Sequence, residues 1–303
     1  MNSGLDNTEF LTTKEVADLL RIKERKLYDL VSAQEIPCVK ATGKLLFPKA
    51  ELMHWIHTGE LLPKGKNNIR PNVLTGSHDP LLEWAIRESN CGLAMQFDGS
   101  LGGLDVFEKY GAVATGLHVL NTGTITSTAP SNNTWNTHAV QNRFANSNVV
   151  LVHWATRQQG LIVPKGNPKN IRSVASLASL KIATRQAGAG GTILFEHLLQ
   201  THGLDLKNLN ISETCRTENE TVAAVASGKA DAAPGLQAMA AQFGLDFVPT
   251  QQESFDLLVC RKAWFDPPFQ KLIQFTTSSA FKKKTQQFEG YNTTALGTVV
   301  WNS

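Results

Sequence analysis

The segment "LKIATRQAGAGGTILFEHLL", residues 180–199, reads as a short apolar strand, a turn with three glycines, and a helix. Glycine lets unpaired backbone N–H groups come close to an anion, and a helix start adds favourable partial charge. Gly188, Gly190, Gly191 and Thr192 therefore form a candidate anion cradle. Arg185 stands directly before the turn, where it can add a forked, charge-assisted contact. The spacing argues against two nucleotide sites. A P-loop requires G-x-x-x-x-G-K-[ST], and no lysine precedes Thr192; a dinucleotide fingerprint requires a third glycine near the place where Leu194 stands. A tight structural connection remains the alternative reading of the same glycines.

Three other loops are placed to contribute. From about residue 72 the pattern alternates strand-like and helix-like segments, the order of an open α/β sheet, where ligands gather at the carboxyl ends of strands. Ser77-His78-Asp79, Asp98-Gly99-Ser100 and Gly116-Leu117-His118 each follow a candidate strand. Ser77 and Ser100 are candidate hydroxyl donors to a ligand, or caps of their own helices. His78 and His118 can donate to an anion and make binding pH-dependent, or serve as ordinary polar residues at strand ends. Asp98 fits an oxyanion poorly, because two negative groups in a dry cleft repel; facing the cleft, it would favour a protonated, hydroxylated or amine-bearing ligand. Trp135 and Trp154 read as core. Ser77, His78 and Asp79 are the residue types of a catalytic triad, but consecutive side chains point apart, and no G-x-S-x-G or H-E-x-x-H stretch occurs. No catalytic residue is assigned, and a non-enzymatic protein is expected.

The first sixty residues have a different character. Residues 21–49 hold seven Lys/Arg against three acids, an excess of +4 where the whole chain carries +3. A polyanion partner should meet this region. Thr12 or Thr13 can cap a helix with Val16, Ala17, Leu19 and Leu20 on one face, and a second helix follows with Leu27, Leu30 and Val31 inward. Lys23, Arg25, Lys26 and Tyr28 then face outward as candidate DNA contacts. "IPCVKATGKLLF" reads as a hairpin about Thr42-Gly43 with Lys40 and Lys44 near its tip, and Pro48 opens a closing helix. "LTTKEVADLL", the short second helix and "FPKAELMHWI" resemble the excisionase-type, MerR-like winged helix-turn-helix family over residues 8–58. That resemblance implies an operator DNA partner, contacted by the second helix and the basic hairpin. One such unit covers little DNA, so a homodimer or higher homo-oligomer is expected. Residues 59–71 have linker composition.

Further along, "SHDPLLEWA", "FDGSLGGL", "GLHVL", "RQQGLIVPKGNP", "RQAGAGGT" and "ASGKADAAPGL" together resemble the type II periplasmic-binding-protein-like domain found fused to helix-turn-helix regulators and to some molybdenum-cofactor proteins. The expected fold class is α/β: an N-terminal winged helix-turn-helix plus a two-lobed ligand domain over 72–303. The resemblance implies lobe I at about 72–155 and 250–303, lobe II at about 156–249, and crossing strands near 150–163 and 246–260. It also implies a small ligand, such as molybdate or tungstate, in the interlobe cleft, and adds Arg157 and Pro234 to the candidate ligand contacts. A small organic acid is the alternative ligand.

Composition sets the outer limits. Hydrophobic residues make up 42% of the 303, enough for folded cores. Apolar runs such as "NVVLVHWA" are far short of the roughly 20 residues of a membrane span. Four dispersed cysteines without a C-x-x-C pair indicate neither a disulfide framework nor a zinc site. A cytoplasmic protein without metal or cofactor is expected.

Overall fold

The computed structural model describes residues 10–33, 35–41, 43–58, 70–121 and 135–303. The chain divides into two units, residues 1–69 and 70–303. Thr42 and the linker residues 59–69 lie outside the described residues.

In the first unit, β1 (Phe10–Thr12) leads into α1 (Thr13–Leu20). Thr12 is its N-cap: the hydroxyl accepts from Glu15 N at 3.4 Å while the Glu15 carboxylate accepts from Thr12 N at 2.7 Å, a reciprocal capping box. Arg21 closes the helix in the left-handed region (φ 53°), turning the chain within three residues into α2 (Glu24–Ser32). Val16, Ala17 and Leu27 pack with Ile36, Phe47 and Leu52 into one small core. Leu19, expected inside, is 48% exposed, since it lies about a third of a turn from the buried edge formed by Val16, Ala17 and Leu20. β2 (Val39–Ala41) pairs antiparallel with β3 (Lys44–Pro48), which also pairs with β1. Pro48 ends β3 rather than opening α3 (Lys49–Thr58): its backbone pairs across to Phe10 at the sheet's edge.

The second unit is built around two long strands. Its first part runs β4 (Val73–Gly76), α4 (Pro80–Ser89), β5 (Ala94–Phe97), α5 (Ser100–Glu108), β6 (Ala114–Leu117), α6 (Thr137–Gln141) and β7 (Val149–Val163). The chain continues with β8 (Lys181–Arg185), α7 (Gly190–Thr201), β9 (Asn210–Cys215), α8 (Glu218–Ala226), β10 (Ala233–Leu236), α9 (Gln237–Gln242) and β11 (Asp246–Cys260). It closes with α10 (Arg261–Trp264), α11 (Pro267–Thr276), α12 (Ser279–Thr285), β12 (Tyr291–Asn292) and β13 (Val299–Asn302).

Strands β7 and β11, fifteen residues each, pair antiparallel along their whole length. At one end β11 also pairs with β6, and parallel β4 and β5 extend the sheet; at the other, β10 pairs with β7. Two lobes thus share one pair of strands. α4, α11 and α12 pack on one face of the first lobe, with Leu82, Trp154, Phe255 and Phe281 in that core. In the second lobe Leu177, Ile182, Phe195 and Leu199 form one core and Val222, Val225, Leu236 and Met239 another.

Two elements depart from the sequence expectation. α7 begins at Gly190, two residues before Thr192, because the glycines supply its first turn rather than a loop ahead of it. The stretch "KADAAPGL" reads as a short apolar strand around Asp231–Ala233 followed by a break at Pro234-Gly235; in the structure Ala232 forms a parallel bridge to Ile182, and β10 (Ala233–Leu236) runs on through Pro234 and Gly235. A proline is compatible there because β10 ends the ladder and pairs only with β7 along its length.

Close backbone contact fixes α5 on β4. A Cβ at Gly103 would stand 2.2 Å from Gly76 Cα, and Gly76 itself has φ +95°. Gly103→Ala must push the helix off the sheet and should cost about 3 kcal/mol. Chemical denaturation of the variant checks this.

Candidate functional site

Asp79 anchors the floor of the interlobe cleft. As N-cap of α4, its Oδ1 accepts from Leu82 N at 2.7 Å and from Trp154 Nε1 at 3.1 Å. Its Oδ2 accepts from Arg157 Nη1 at 2.9 Å and from the Tyr291 hydroxyl at 2.7 Å. Arg157 on β7 lies opposite Glu253 on β11, and its Nη2 donates to Glu253 Oε1. The Phe255 ring lies 4.3 Å from the guanidinium. Glu253 is further held by Gln159 Nε2 at 2.9 Å and His118 Nδ1 at 2.8 Å. Arg157 and the carboxylates of Asp79 and Glu253 are fully buried.

Burial alone would raise the Glu253 carboxyl, but the Arg157 and His118 charges and the hydrogen bonds from His118 and Gln159 outweigh it, leaving a pKa of about 2. Burial likewise works against the Arg157 charge, and Glu253 and Asp79 overcome it, so the guanidinium is held above its ordinary range. The Tyr291 phenol is pushed up by burial and by the Asp79 charge it donates to.

Above this floor a cleft lies between the lobes. Lobe I contributes Ser77, His78 and His118 from the ends of β4 and β6. Ser77 Oγ lies 2.7 Å from Ser100 Oγ, and His78 Nε2 lies 2.6 Å from Glu83. With Nδ1 on Glu253, His118 turns Nε2 toward Gly190 of the other lobe. A Cβ at Gly190 would sit 2.7 Å from that Nε2, so glycine permits the approach of α7 to the imidazole. Lobe II contributes Arg185, Gly190 and Gly191, and α7 has no side-chain cap over its first N–H groups. Glu218, in the first turn of α8, places Oε1 3.9 Å from Arg185 Nη1. Arg185 Nε and Glu218 Oε2 are buried without a hydrogen-bond partner.

Of the residues singled out in the sequence, Ser77, His78, His118, Arg185, Gly190, Gly191 and Pro234 line the cleft. Five others do not. Ser100 is fully buried behind Ser77, where its Oγ also accepts from His118 N at 3.3 Å. Arg157 lies beneath the cleft, its charge taken up by two carboxylates, so it is not a ligand clamp. Thr192 donates its hydroxyl to the Arg185 and Gln186 carbonyls, 3.1 Å each. Asp98 is exposed, its backbone N–H turned back to Gly76 O at 3.1 Å, and Gly188 is exposed at the turn with φ +83°. Trp154 belongs to the core.

Glu218, Gln159 and Thr221 are lining residues the sequence reading missed. The signal for Glu218 was available in "RTENE": Thr217 caps α8 in a capping box with Glu220, which places Glu218 in the first turn of a helix at the end of β9.

On the first unit, Lys23, Arg25, Lys26, Tyr28, Lys40 and Lys44 are all exposed. Tyr28, Lys40 and Lys44 line a groove between α2 and the hairpin, together with Lys14.

The model of the PBP superfamily domain matches residues 83–277. The chain belongs to that family. A helix-turn-helix domain model matches residues 10–59 ahead of the PBP domain. A relative spanning both parts, the uncharacterized protein YvgK of Bacillus subtilis, is 25% identical, with 98% of this chain and 99% of that protein aligned. A Clostridium pasteurianum protein from the 5′ region of a 2Fe-2S ferredoxin gene is 28% identical over 36% of this chain and 97% of its own length. Among solved structures, an ABC-type phosphate transport receptor from Vibrio cholerae superposes with a TM-score of 0.45 and 13% identity, covering 73% of this chain and 98% of that one. The PBP domain indicates ligand binding and the helix-turn-helix domain DNA binding. Among the described residues no helix is long and apolar enough to cross a membrane, and no cluster of three or more His, Cys, Asp or Glu could hold a metal ion.

The floor network should be sensitive to truncation and to acid. Arg157→Ala leaves two buried carboxylates without their cation and should cost about 3–5 kcal/mol in denaturant unfolding. Because the Glu253 pKa is depressed, its contribution is complete above the ordinary glutamate value of 4.5 and is lost as pH falls towards about 2. Glu253→Gln should therefore flatten the fall of stability across that window, measured by unfolding at successive pH values.

Proposed function

We propose that the protein is a one-component transcription regulator. Its N-terminal unit binds operator DNA, and its PBP domain binds a small anionic ligand that alters that binding. The supporting observation is Arg185 beside the uncapped start of α7 in an interlobe cleft, in the same chain as a helix-turn-helix unit with an exposed basic face. A ligand that binds closed lobes better than open ones supplies the free energy for such a response. Lys23, Arg25, Lys26 and Tyr28 meet the DNA from α2, and Lys40 and Lys44 from the hairpin. Paired half-sites call for a homodimer. The protein acts in the cytoplasm and catalyses no reaction.

The anion is a tetrahedral oxyanion such as molybdate or tungstate, or the carboxylate of a small organic acid; both chemistries satisfy a guanidinium and a helix start. The second is favoured by the apolar side of the cleft, formed by Ile162, Val222, Leu236 and Met239.

Arg185→Ala should abolish ligand-induced thermal stabilisation and leave basal DNA binding intact, as checked by melting curves and by DNA titration of the same preparation. Replacing Arg25 and Lys26 together by alanine should weaken DNA binding and lower the slope of log K against log salt by up to about 2, since each phosphate contact contributes roughly 0.9. An unchanged slope would mean that another face of the unit meets the DNA.

A further inference from the structure

Glu218, the one acid lining the cleft among the described residues, limits what it can hold. Arg185 and Glu218 stand 3.9 Å apart at their nearest atoms, too far for a hydrogen bond between them. Each keeps a buried atom without a partner: a donor, Arg185 Nε, and an acceptor, Glu218 Oε2. A buried donor and acceptor left open both cost free energy until something fills them. A ligand that satisfies both must present an acceptor to the arginine and a donor to the glutamate. A fully deprotonated oxyanion supplies only acceptors, and next to Glu218 it would face like charge in a partly dry site.

The remaining lining separates by chemistry. Ile162, Val222, Leu236 and Met239 give an apolar wall that an inorganic ion cannot use. We infer that the ligand is a small zwitterion with an apolar body, of the amino-acid kind. Its carboxylate meets Arg185 and the Gly190–Gly191 turn, its ammonium group donates to Glu218, and its side chain lies against the apolar wall. This deepens the sensor reading and rests on it.

The test uses the full-length protein and leucine, valine, serine and glutamine as probes. Each is compared with its carboxylic acid lacking the amine (4-methylpentanoate for leucine), with its amide lacking the carboxylate (leucinamide), and with molybdate, sulfate and hydrogen phosphate. Thermal shift and calorimetry on the wild type should give stabilisation by at least one amino acid, with binding at least tenfold weaker for the analogue lacking either charged group. Glu218→Gln should weaken the amino acid by roughly 10- to 100-fold, the range of a hydrogen bond between charged groups, while the amine-free acid binds as well or better. Arg185→Ala should lose both. The Tm of each unliganded variant, compared with the wild type, shows that it is folded. Preferential binding of molybdate, sulfate, phosphate or the amine-free acid, strengthened or unchanged in Glu218→Gln, overturns the zwitterion and leaves the anion sensor standing. Absence of stabilisation by every probe overturns both.

Discussion

A guanidinium held between two carboxylates in the waist of the second unit is the interaction on which the rest depends. Arg157 and Glu253 face each other across β7 and β11, the strands both lobes share, and Asp79 reaches the same cation from the start of α4. An ion in that position is costly unless every lone pair is used, and here most are. Asp79 accepts four hydrogen bonds, from helix backbone, Trp154, Arg157 and Tyr291. Through them it joins α4, both partners of β12–β7 pairing and the tryptophan of the main core. The network fixes register as well as charge: a one-residue slip of β11 against β7 would carry Glu253 to the opposite face.

The same network determines what remains for a ligand. His118 is oriented through Nδ1 by Glu253, and Gln159 by the other oxygen of that carboxylate, so both enter the cleft with one end already committed. Arg157 contributes no free charge. Arg185 is left as the lone Lys or Arg lining the cleft among the described residues, on the lobe opposite His118. In the proposed function, an anion bound at Arg185 and the start of α7 would also be brought against groups that the waist holds in place.

Much of this was legible in the sequence, and the limits of that reading have physical causes. The capping box of α1, the strand before the glycine turn, and the alternation of strands and helices are encoded by neighbours within a few residues. Local patterning and turn chemistry suffice for them. Arg157 could not be placed that way. In "RQQGL" it looks like an available cation, and only partners 78 and 96 residues away show that it is spent. Asp98 failed in the opposite direction: a turn residue next to a helix start looks functional, but the peptide hydrogen bond to Gly76 orients the loop, and the side chain stays in solvent. The strand around Asp231–Ala233 runs further than local pattern indicates, because Pro234 and Gly235 break a strand inside a sheet but are compatible where, as in β10, they pair on one side with β7.

Asp79 and Glu218 show how one functional group can serve opposite ends. Both carboxylates sit at helix starts in the same unit, and both lie near an arginine. Asp79 has its acceptor positions filled by the protein, so it stiffens the fold and offers nothing to a ligand. Glu218 is separated by 3.9 Å from its arginine and keeps an open oxygen, so part of its desolvation remains uncompensated until a donor arrives. That residual cost favours a bound partner and makes the choice selective, because a molecule lacking the donor leaves the cost in place and adds repulsion. Under the zwitterion proposal, selectivity in this cleft follows from what the protein leaves unpaired, while the ion-paired waist beneath holds the two strands that the lobes share.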